Sequence, residues 1–452
     1  MRMRQLVPFL LAAGLSTAAL ANPYETTLKN GLRVIVKEDH RAPTAVQMVW
    51  YRIGSTDEVD GASGVAHVLE HMMFKGTPSV GPGEFNKRVA AAGGKDNAFT
   101  SRDYTAYFQQ VPKEKLADMM QLEADRMRHL NVDAKEFEQE IKVVMEERRM
   151  RTDDNPQAKL FEQMNAVAFQ AHPYRRPIIG WMNDLETMTA ADAKAWYDTW
   201  YVPNNAYVII TGDVDHKEVF AQAEKYYGPL EGRALPPRRQ QIEPVQEGPR
   251  HVTVKGPAEL PVLIMGYKAP ILRDIDKDSA PYALEMLASI LDGHDAARFN
   301  KKLVREDKVA LSAGIDYDNT ARGPGMLYLH GTPSEGKTVA DLEAALRAEI
   351  VRVQKDGVST QELKRAKAQL VAGQVYKLDS MFGQAMEIGQ IESVGLPYQK
   401  LDHMLDKLQK VTAADVQAVA RKYFNDDALT IGVLDPQPLD GKPRRPAVAT
   451  RH

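Results

Sequence analysis

The sequence of 452 residues contains no cysteine. This absence excludes a disulfide framework, a cysteine nucleophile, an iron–sulfur cluster and every metal site that needs thiolate ligands. A metal ion in this protein must therefore be held by histidine, aspartate or glutamate side chains.

The chain also lacks an excess of charge of either sign. Lysine and arginine number 58 and aspartate and glutamate 61, which gives a formal net charge of −3. Such a balance offers no overall attraction to nucleic acid or anionic lipid, so we expect no nucleic-acid partner. With 26% charged and 44% hydrophobic residues, the composition is that of a globular protein rather than a disordered chain or a polytopic membrane protein.

The first 21 residues resemble a secretory signal peptide. Arg2 and Arg4 precede an apolar stretch over residues 6–15, and residues 19–21 read Ala-Leu-Ala, an A-x-A cleavage site. Proline, glycine, serine and threonine interrupt the uncharged run, whereas a permanent anchor needs about 20 predominantly apolar residues. We therefore expect cleavage and a soluble, exported mature protein without membrane contact, located in the periplasm if the source has two membranes.

The sequence contains an internal repeat. Four short matches recur in the same order at a nearly constant spacing of 214 to 223 residues. They pair residues 69–70 with 284–285, 85–89 with 299–303, 117–118 with 340–341, and 189–192 with 412–415. Conserved order and spacing indicate two homologous domains of about 210 residues each.

A segment rich in proline and glycine separates the two repeats. Its composition disfavours both helix and central strand, so it is typical of a linker. The predicted organisation is a signal peptide (1–21), an N-terminal domain (22–228), a linker (229–247), a C-terminal non-catalytic domain (248–440) and a polar tail (441–452).

Strands and helices mix within each repeat. Alternating or β-branched residues predict strands over residues 32–36, 46–51 and 207–212. Apolar spacing of three and four residues predicts helices over 64–75, 113–130 and 133–150, and Asp133 is the candidate N-cap of the last. These elements predict an α+β fold of two homologous α/β-sandwich domains, each with a mixed sheet packed with helices.

The most informative motif is H-x-x-E-H at residues 67–71. His67 and His71 lie at i and i+4 of a predicted helix, so both imidazoles share one face and could chelate one divalent ion. Glu70 lies on the same side and could reach a water molecule at that ion. This is the zinc-hydrolase arrangement H-E-x-x-H in reverse order. The alternative is a helix with two incidental histidines.

A catalytic zinc site needs a third protein ligand and one open position. The predicted helix over residues 133–150 offers Glu140 and Glu147, which share a face because they are two turns apart. Glu146 is a competing candidate. Taken alone, the same segment also fits a solvated charged helix face.

Together these motifs resemble the pitrilysin-like zinc metallopeptidases, the M16 or insulinase family. The resemblance is carried by residues 67–71, by Glu147 located 76 residues after His71, and by residues 93–101, which are similar to the family's G-x-x-N-A-x-T stretch. It covers nearly the whole mature chain. The length resembles the short bacterial two-domain branch related to mitochondrial processing peptidase, whose chains pair to give four domains.

The resemblance implies a zinc-dependent endopeptidase with one zinc ion per chain. His67, His71 and Glu147 are then the zinc ligands, and Glu70 is the general base of a metal-activated water. Glu140 is then a carboxylate that orients a ligand histidine. Peptides or unfolded polypeptides are the implied substrates.

The resemblance also implies how substrate is held. Residues around Asn97 and Ala98 would form an edge strand to which an extended substrate adds. Arg305 matches the arginine of an Arg–Tyr pair that the family's second domain donates to substrate. The expected tyrosine is Ser312 in this sequence, and Tyr317 is displaced by five residues.

The repeat predicts that the second domain binds no zinc. His67 and His71 correspond to Tyr282 and Met286, and Glu147 corresponds to Gly373, so no ligand is kept. The missing tyrosine leaves two forms of assembly open. The chain acts as a homodimer, or it pairs with a paralogous non-zinc subunit that supplies a complete Arg–Tyr pair. The alternative function is that of a non-catalytic scaffold or core-type subunit of the same fold, which predicts an eroded H-x-x-E-H motif.

Overall fold

The computed structural model describes residues 23–439. The predicted signal peptide and polar tail lie outside these residues. The described residues form two mixed β-sheets, one in each half of the chain, with helices packed around them.

The first sheet has six strands in the order β1-β2-β6-β3-β5-β4, and the second has five in the order β7-β11-β8-β10-β9. Their bounds are β1 Tyr24–Thr27, β2 Arg33–Glu38, β3 Thr44–Tyr51, β4 Lys95–Thr100, β5 Thr105–Pro112, β6 Ala206–Gly212, β7 Arg250–Pro257, β8 Val262–Ala269, β9 Ala310–Tyr317, β10 Gly325–Pro333 and β11 Leu429–Gln437.

Fourteen α-helices surround the sheets in the described part of the chain, and none is long and apolar enough to cross a bilayer. They are α1 Val65–Met72, α2 Glu84–Ala91, α3 Leu116–His129, α4 Ala134–Arg148, α5 Pro156–Ala168, α6 Met182–Thr187, α7 Ala190–Trp200, α8 His216–Tyr226, α9 Ala280–Asp292, α10 Val339–Asp356, α11 Thr360–Asp379, α12 Met381–Ser393, α13 Leu401–Lys410 and α14 Ala413–Tyr423. Two π-helical segments are Arg149–Asp153 and Phe299–Glu306, and short 3₁₀ turns are Ser55–Asp57, Lys113–Lys115, Pro173–Arg175, Pro203–Asn205, Tyr398–Lys400 and Asp426–Ala428.

The two sheets have the same topology apart from β1. Strands β2-β6-β3-β5-β4 and β7-β11-β8-β10-β9 follow one another in equivalent order. Each sheet has a single parallel pair, β2 with β6 and β7 with β11, and its other pairs are antiparallel. The predicted α+β fold of two homologous halves is therefore confirmed.

One of the four sequence matches has a clear structural cause. Thr189 and Thr412 each begin a helix, and each hydroxyl accepts a hydrogen bond from the backbone N–H of the aspartate three residues on. Each aspartate carboxylate in turn accepts a hydrogen bond from the threonine backbone N–H, which completes a capping box. The repeated Thr-Ala-Ala-Asp thus marks equivalent helix starts, at α7 and α14.

The halves exchange one helix each, which the sequence patterns did not predict. Helix α5 of the first half packs on β7, β11 and β8 of the second sheet, and α12 of the second half packs on β3 and β6 of the first. The Tyr207 hydroxyl donates to the Gly389 carbonyl at 2.7 Å, and the Thr211 hydroxyl donates to the Met381 carbonyl at 2.8 Å. This exchange buries the second face of both sheets and joins the halves into one core.

The predicted linker has no helix or strand. Between the end of α8 at Tyr226 and the start of β7 at Arg250 the backbone is irregular, as its proline and glycine content predicted. One linker residue is nevertheless fixed by hydrogen bonds. The Glu243 carboxylate accepts from the backbone N–H groups of residues 170–172 at 2.8 to 3.0 Å.

Candidate metal centre

Helix α1, which carries the H-x-x-E-H motif, begins at a glycine in the left-handed conformation. Gly64 has φ of 90°, and an added Cβ would meet the Ile179 carbonyl oxygen at 2.6 Å. The Glu58 carboxylate accepts hydrogen bonds from the N–H groups of Gly64 and Ala66, both at 2.9 Å. These contacts satisfy two N–H groups at the start of the helix and fix its position.

Burial raises the pKa of Glu58 to about 8, against the opposing effect of those two N–H donors.

Helix α4 presents the acidic side chains opposite α1. Its N-cap is Asp133, whose carboxylate accepts from two backbone N–H groups at 2.9 and 3.1 Å, as the sequence predicted. Glu140 and Glu147 are both buried. Glu146 is 52% exposed and pairs with Arg149 at 3.1 Å. Of the two competing third ligands, Glu147 is therefore the one that faces the histidines.

Two imidazoles and one carboxylate converge between these helices. Ligand atoms of His67, His71 and Glu147 all lie within 4.8 Å of one another, and the three residues are only 8%, 7% and 3% exposed. Glu147 Oε2 is 4.0 Å from His67 Nε2 and 3.3 Å from His71 Nε2.

Zinc bonds of about 2.0 to 2.2 Å place tetrahedral ligands about 3.4 Å apart, so the chemistry and spacing of this donor set fit a zinc ion.

A second carboxylate fixes the His71 ring. Glu140 Oε1 lies 2.8 Å from His71 Nδ1, which leaves Nε2 toward Glu147, and Lys75 pairs with the other Glu140 oxygen. Burial lowers the pKa of His71, but hydrogen bonds with Glu140 and Glu147 outweigh it and raise that pKa to about 9. Burial raises the pKa of Glu147, but the two histidines and Arg151 outweigh it and lower that pKa to about 2. Two carboxylates thus hold the His71 ring, one at each ring nitrogen.

Glu70 does not join this cluster as a ligand. Its Oε2 accepts a hydrogen bond from the Thr100 hydroxyl at 2.5 Å, at the end of strand β4. Burial raises the pKa of Glu70, while the Thr100 hydrogen bond and His71 lower it. A carboxylate with a raised pKa is better suited to accept a proton near neutral pH.

The contact of Arg151 with Glu147 was not predicted from the sequence. The guanidinium of Arg151 lies 2.6 Å from Glu147 Oε1, and its side chain is 60% exposed. It belongs to the π-helical segment Arg149–Asp153, which directly follows α4. The i, i+4 spacing of an acid and a base was the available signal, but such pairs are common on solvated helices.

The residues implied in substrate binding lie on separate elements. Asn97 and Ala98 lie on β4, which is an edge strand of the first sheet. Arg305 is exposed on the π-helical segment Phe299–Glu306 of the second half, and Ser312 is exposed on edge strand β9. The Tyr317 hydroxyl donates to the Pro270 carbonyl, so this tyrosine is engaged in the second half's own structure.

Among the described residues, no metal-ligating cluster lies at the equivalent position in the second half. Tyr282 and Met286 are buried in its core, and Glu285 accepts a hydrogen bond from Asn319 at 2.7 Å. Burial raises the pKa of Glu285 to about 7. Within residues 23–439, the other candidate cluster comprises Glu38, Asp215 and His216, where Asp215 serves as the N-cap of α8.

Models of known protein families match both halves of the chain. The model described as insulinase (peptidase family M16) matches residues 33–181, and the model described as the peptidase M16 inactive domain matches residues 187–370. The zinc protease PqqE of Helicobacter pylori is 32% identical over 421 residues, which are 91% of this chain and 92% of that protein.

Solved structures show the same fold. The crystal structure of a protease from Helicobacter pylori has a TM-score of 0.87 at 30% identity and covers 92% of this chain and 99% of its own. The periplasmic protease PqqL of Escherichia coli has a TM-score of 0.79 at 19% identity, covering 92% of this chain but 48% of its own. The fold therefore occurs both in chains of this length and as part of a chain about twice as long.

Proposed function

Because this chain belongs to the M16 (insulinase) family of peptidases, we propose that it is a zinc-dependent metalloendopeptidase that cleaves peptides or unfolded polypeptides. The observation that carries the proposal is the buried convergence of His67, His71 and Glu147 beside Glu70. Relatives named as zinc proteases support the metal and the reaction class.

His67, His71 and Glu147 would hold one zinc ion per chain. When bound, zinc lowers the pKa of a water molecule and polarises the scissile carbonyl. Glu70 accepts the proton from the attacking water and later returns it to the leaving amine. The Thr100 hydroxyl donates a hydrogen bond to the Glu70 carboxylate, and Glu140 holds the His71 ring with Nε2 toward Glu147, where it would bind the metal.

Substrate would bind as an added strand on β4. The outer edge of β4 presents Asn97 and Ala98 and ends at Thr100, which contacts the general base. A peptide that pairs with this edge brings its backbone past Glu70 with little demand on its sequence. Unfolded or short peptides fit this requirement, because a folded protein has few free extended segments.

We also propose export and pairing. The signal-like residues 1–21 support export to the periplasm, and PqqL, which has the same fold, is described as periplasmic. Pairing is supported because this fold makes up 48% of the longer PqqL chain, and because Ser312 leaves the Arg–Tyr pair incomplete. The partner is a second copy or a paralogous subunit with a complete pair near the position of Arg305.

A peptide-library digest with the purified chain tests the proposed activity. We expect cleavage that stops with a chelator and returns when zinc is added. Size-exclusion chromatography of the same sample, with and without a candidate paralogue, identifies the active assembly. Full activity of the isolated monomer contradicts the pairing proposal, and absence of zinc-restored cleavage in every assembly favours the scaffold alternative.

A further inference from the structure

A cavity lies where the two halves and the linker meet. Its volume is about 510 Å³. Four arginines line it: Arg33 at the start of β2, Arg52 directly after β3, Arg238 of the linker, and Arg322 between β9 and β10. The rest of the wall is the end of α12 and the turn that follows, residues 392–399. None of these residues belongs to the candidate metal centre.

Two buried carboxylates pair with the arginines. Asp57 is 5% exposed and accepts from both Nη atoms of Arg322 at 2.9 Å, while Arg238 Nε lies 3.0 Å from it. Glu392 is 7% exposed and pairs with Arg33 at 2.5 Å and with Arg52 at 3.6 Å.

The four arginine side chains themselves are 21% to 37% exposed. Glu25 pairs with Arg33 at 2.9 Å, and Asp103 accepts from the Arg322 backbone N–H. Among the charged residues that line the cavity, four are arginines and one, Glu392, is acidic.

Two of the guanidiniums are fixed in place by aromatic rings. Arg52 lies over Tyr207 at 4.9 Å from the ring centroid, and Arg238 lies over Trp200 at 5.4 Å. Arg238 also donates to the Arg52 carbonyl. Such preorganised planar forks match the geometry of carboxylate and phosphate groups.

The pairing of these arginines is incomplete. The buried Nε–H of Arg52 has no hydrogen-bond acceptor among the described residues. Burial, together with the neighbouring charges of Arg322 and Arg52, lowers the pKa of Arg238 although Asp57 raises it. Arginines that repel one another around a cavity are stabilised by an anion placed between them.

Arg148 shows what a purely structural arginine in this chain looks like. Its side chain is 5% exposed, and its two Nη atoms donate to Glu162 at 2.8 and 3.0 Å and to the Gly180 carbonyl at 2.8 Å. Its charge is matched by a bidentate carboxylate, and it does not line the cavity at the junction. The four arginines at the junction differ from it in exposure and in their common cavity.

We propose that this cavity is a binding site for an oxyanion, carried by carboxylate or phosphate groups, that connects the linker to both halves of the chain. The site is independent of the zinc centre, and its ligand is either a small free anion or an acidic group on a polypeptide. Because its four arginines come from four separate segments, bound anion stabilises the assembled arrangement of the halves.

Isothermal titration of the full-length chain with inorganic phosphate, and separately with succinate, tests the proposal at constant ionic strength. Both probes bind zinc weakly, so they leave the metal centre undisturbed. We expect saturable binding of one anion per chain and a rise in melting temperature that chloride does not produce. Absence of saturable binding by both probes overturns the proposal.

Variants locate the site. Arg52→Gln and Arg238→Gln should each weaken binding about tenfold, since each removes charge-assisted hydrogen bonds. Arg238→Lys keeps the charge but loses the fork, so it should retain only part of the affinity. Arg88→Gln is the matched control, because Arg88 is an exposed arginine on α2 paired with Glu84. Equal binding by the control and by correctly folded cavity variants overturns the assignment.

A competition experiment identifies the source of the anion. A short peptide rich in aspartate and glutamate is titrated against bound succinate, with an uncharged peptide of equal length as control. Displacement by the acidic peptide supports a polypeptide ligand, and its failure to compete supports a small free anion. Equal displacement by the uncharged peptide contradicts oxyanion recognition.

Discussion

The first half of the chain holds His67, Glu70 and His71 on α1, and the second half holds Tyr282, Glu285 and Met286 at the equivalent turns of α9. The two sheets around these helices have the same strand order, and both helices are well buried. The fold therefore does not depend on the imidazoles. A few side chains distinguish a candidate catalytic half from one that serves structure and binding.

The largest predicted difference is in how substitution of each of the two equivalent glutamates changes the rate of peptide cleavage. Glu70→Gln should lower the rate of peptide cleavage by about 10²- to 10⁴-fold, because the amide cannot accept a proton, while zinc content stays unchanged. Glu285→Gln should leave cleavage within about twofold. Initial rates on a fluorogenic peptide, with zinc measured in the same samples, compare them. Wild-type rates in Glu70→Gln would show that another group is the base.

The next largest effect concerns Glu140. Glu140→Gln should weaken zinc affinity about 10- to 100-fold, because the His71 ring loses its charged partner. Competition with a chromogenic chelator measures this affinity. Glu138→Gln, on the exposed side of the same helix, is the control and should bind zinc normally. Equal affinities in the two variants would mean that Glu140 does not orient the ligand.

The packing of the exchanged helices predicts that alanine substitutions at two glycines lower stability to different extents. A Cβ added at Gly389 of α12 would lie 2.1 Å from the rigid Trp50 ring, whereas one at Gly266 of β8 meets the flexible ends of Met164 and Met326 at 2.6 and 2.8 Å. Gly389→Ala should therefore cost about 1 to 3 kcal/mol of unfolding free energy, and Gly266→Ala less. Denaturant unfolding of both variants provides the comparison. The reverse order would contradict the packing described for the first sheet.

The smallest predicted effect is a pH dependence of folding stability that arises from a residue of the second half. Burial raises the pKa of Glu285 from 4.5 to about 7, so its ionisation opposes folding and stability falls as the pH rises through this interval. Glu285→Gln should gain about 1 kcal/mol relative to wild type at pH 6 compared with pH 5. Unfolding at both pH values measures this, with exposed Glu335→Gln as control. An equal gain at both pH values would show that Glu285 is not the titrating group.

Local patterns predicted those parts of the molecule that depend on neighbouring residues. The helix around His67 and His71, the Asp133 cap and the irregular linker follow from spacing, hydrogen bonding and composition. The match of Thr189 with Thr412 indicated two homologous halves, and the structure adds that both residues begin a helix with a capping box.

The remaining features depend on contacts between distant segments. Spacing left Glu146 and Glu147 as alternatives, since the choice depends on which side of α4 faces α1. Nothing in the local sequence indicated that Glu58 caps α1, that Arg151 contacts Glu147, or that α5 and α12 exchange between the sheets. The cavity lined by Arg33 and Arg322 likewise forms only when residues 289 positions apart meet.

The central claim is that two imidazoles of α1 and one carboxylate of α4 bind a single zinc ion. Elemental analysis of the purified chain, of Glu147→Gln and of the exposed neighbour variant Glu146→Gln tests it most directly. We predict about one zinc ion per chain in the wild type and in Glu146→Gln, and almost none in Glu147→Gln. A wild-type chain without zinc after incubation with the metal, or a Glu147→Gln chain that retains it, contradicts the account.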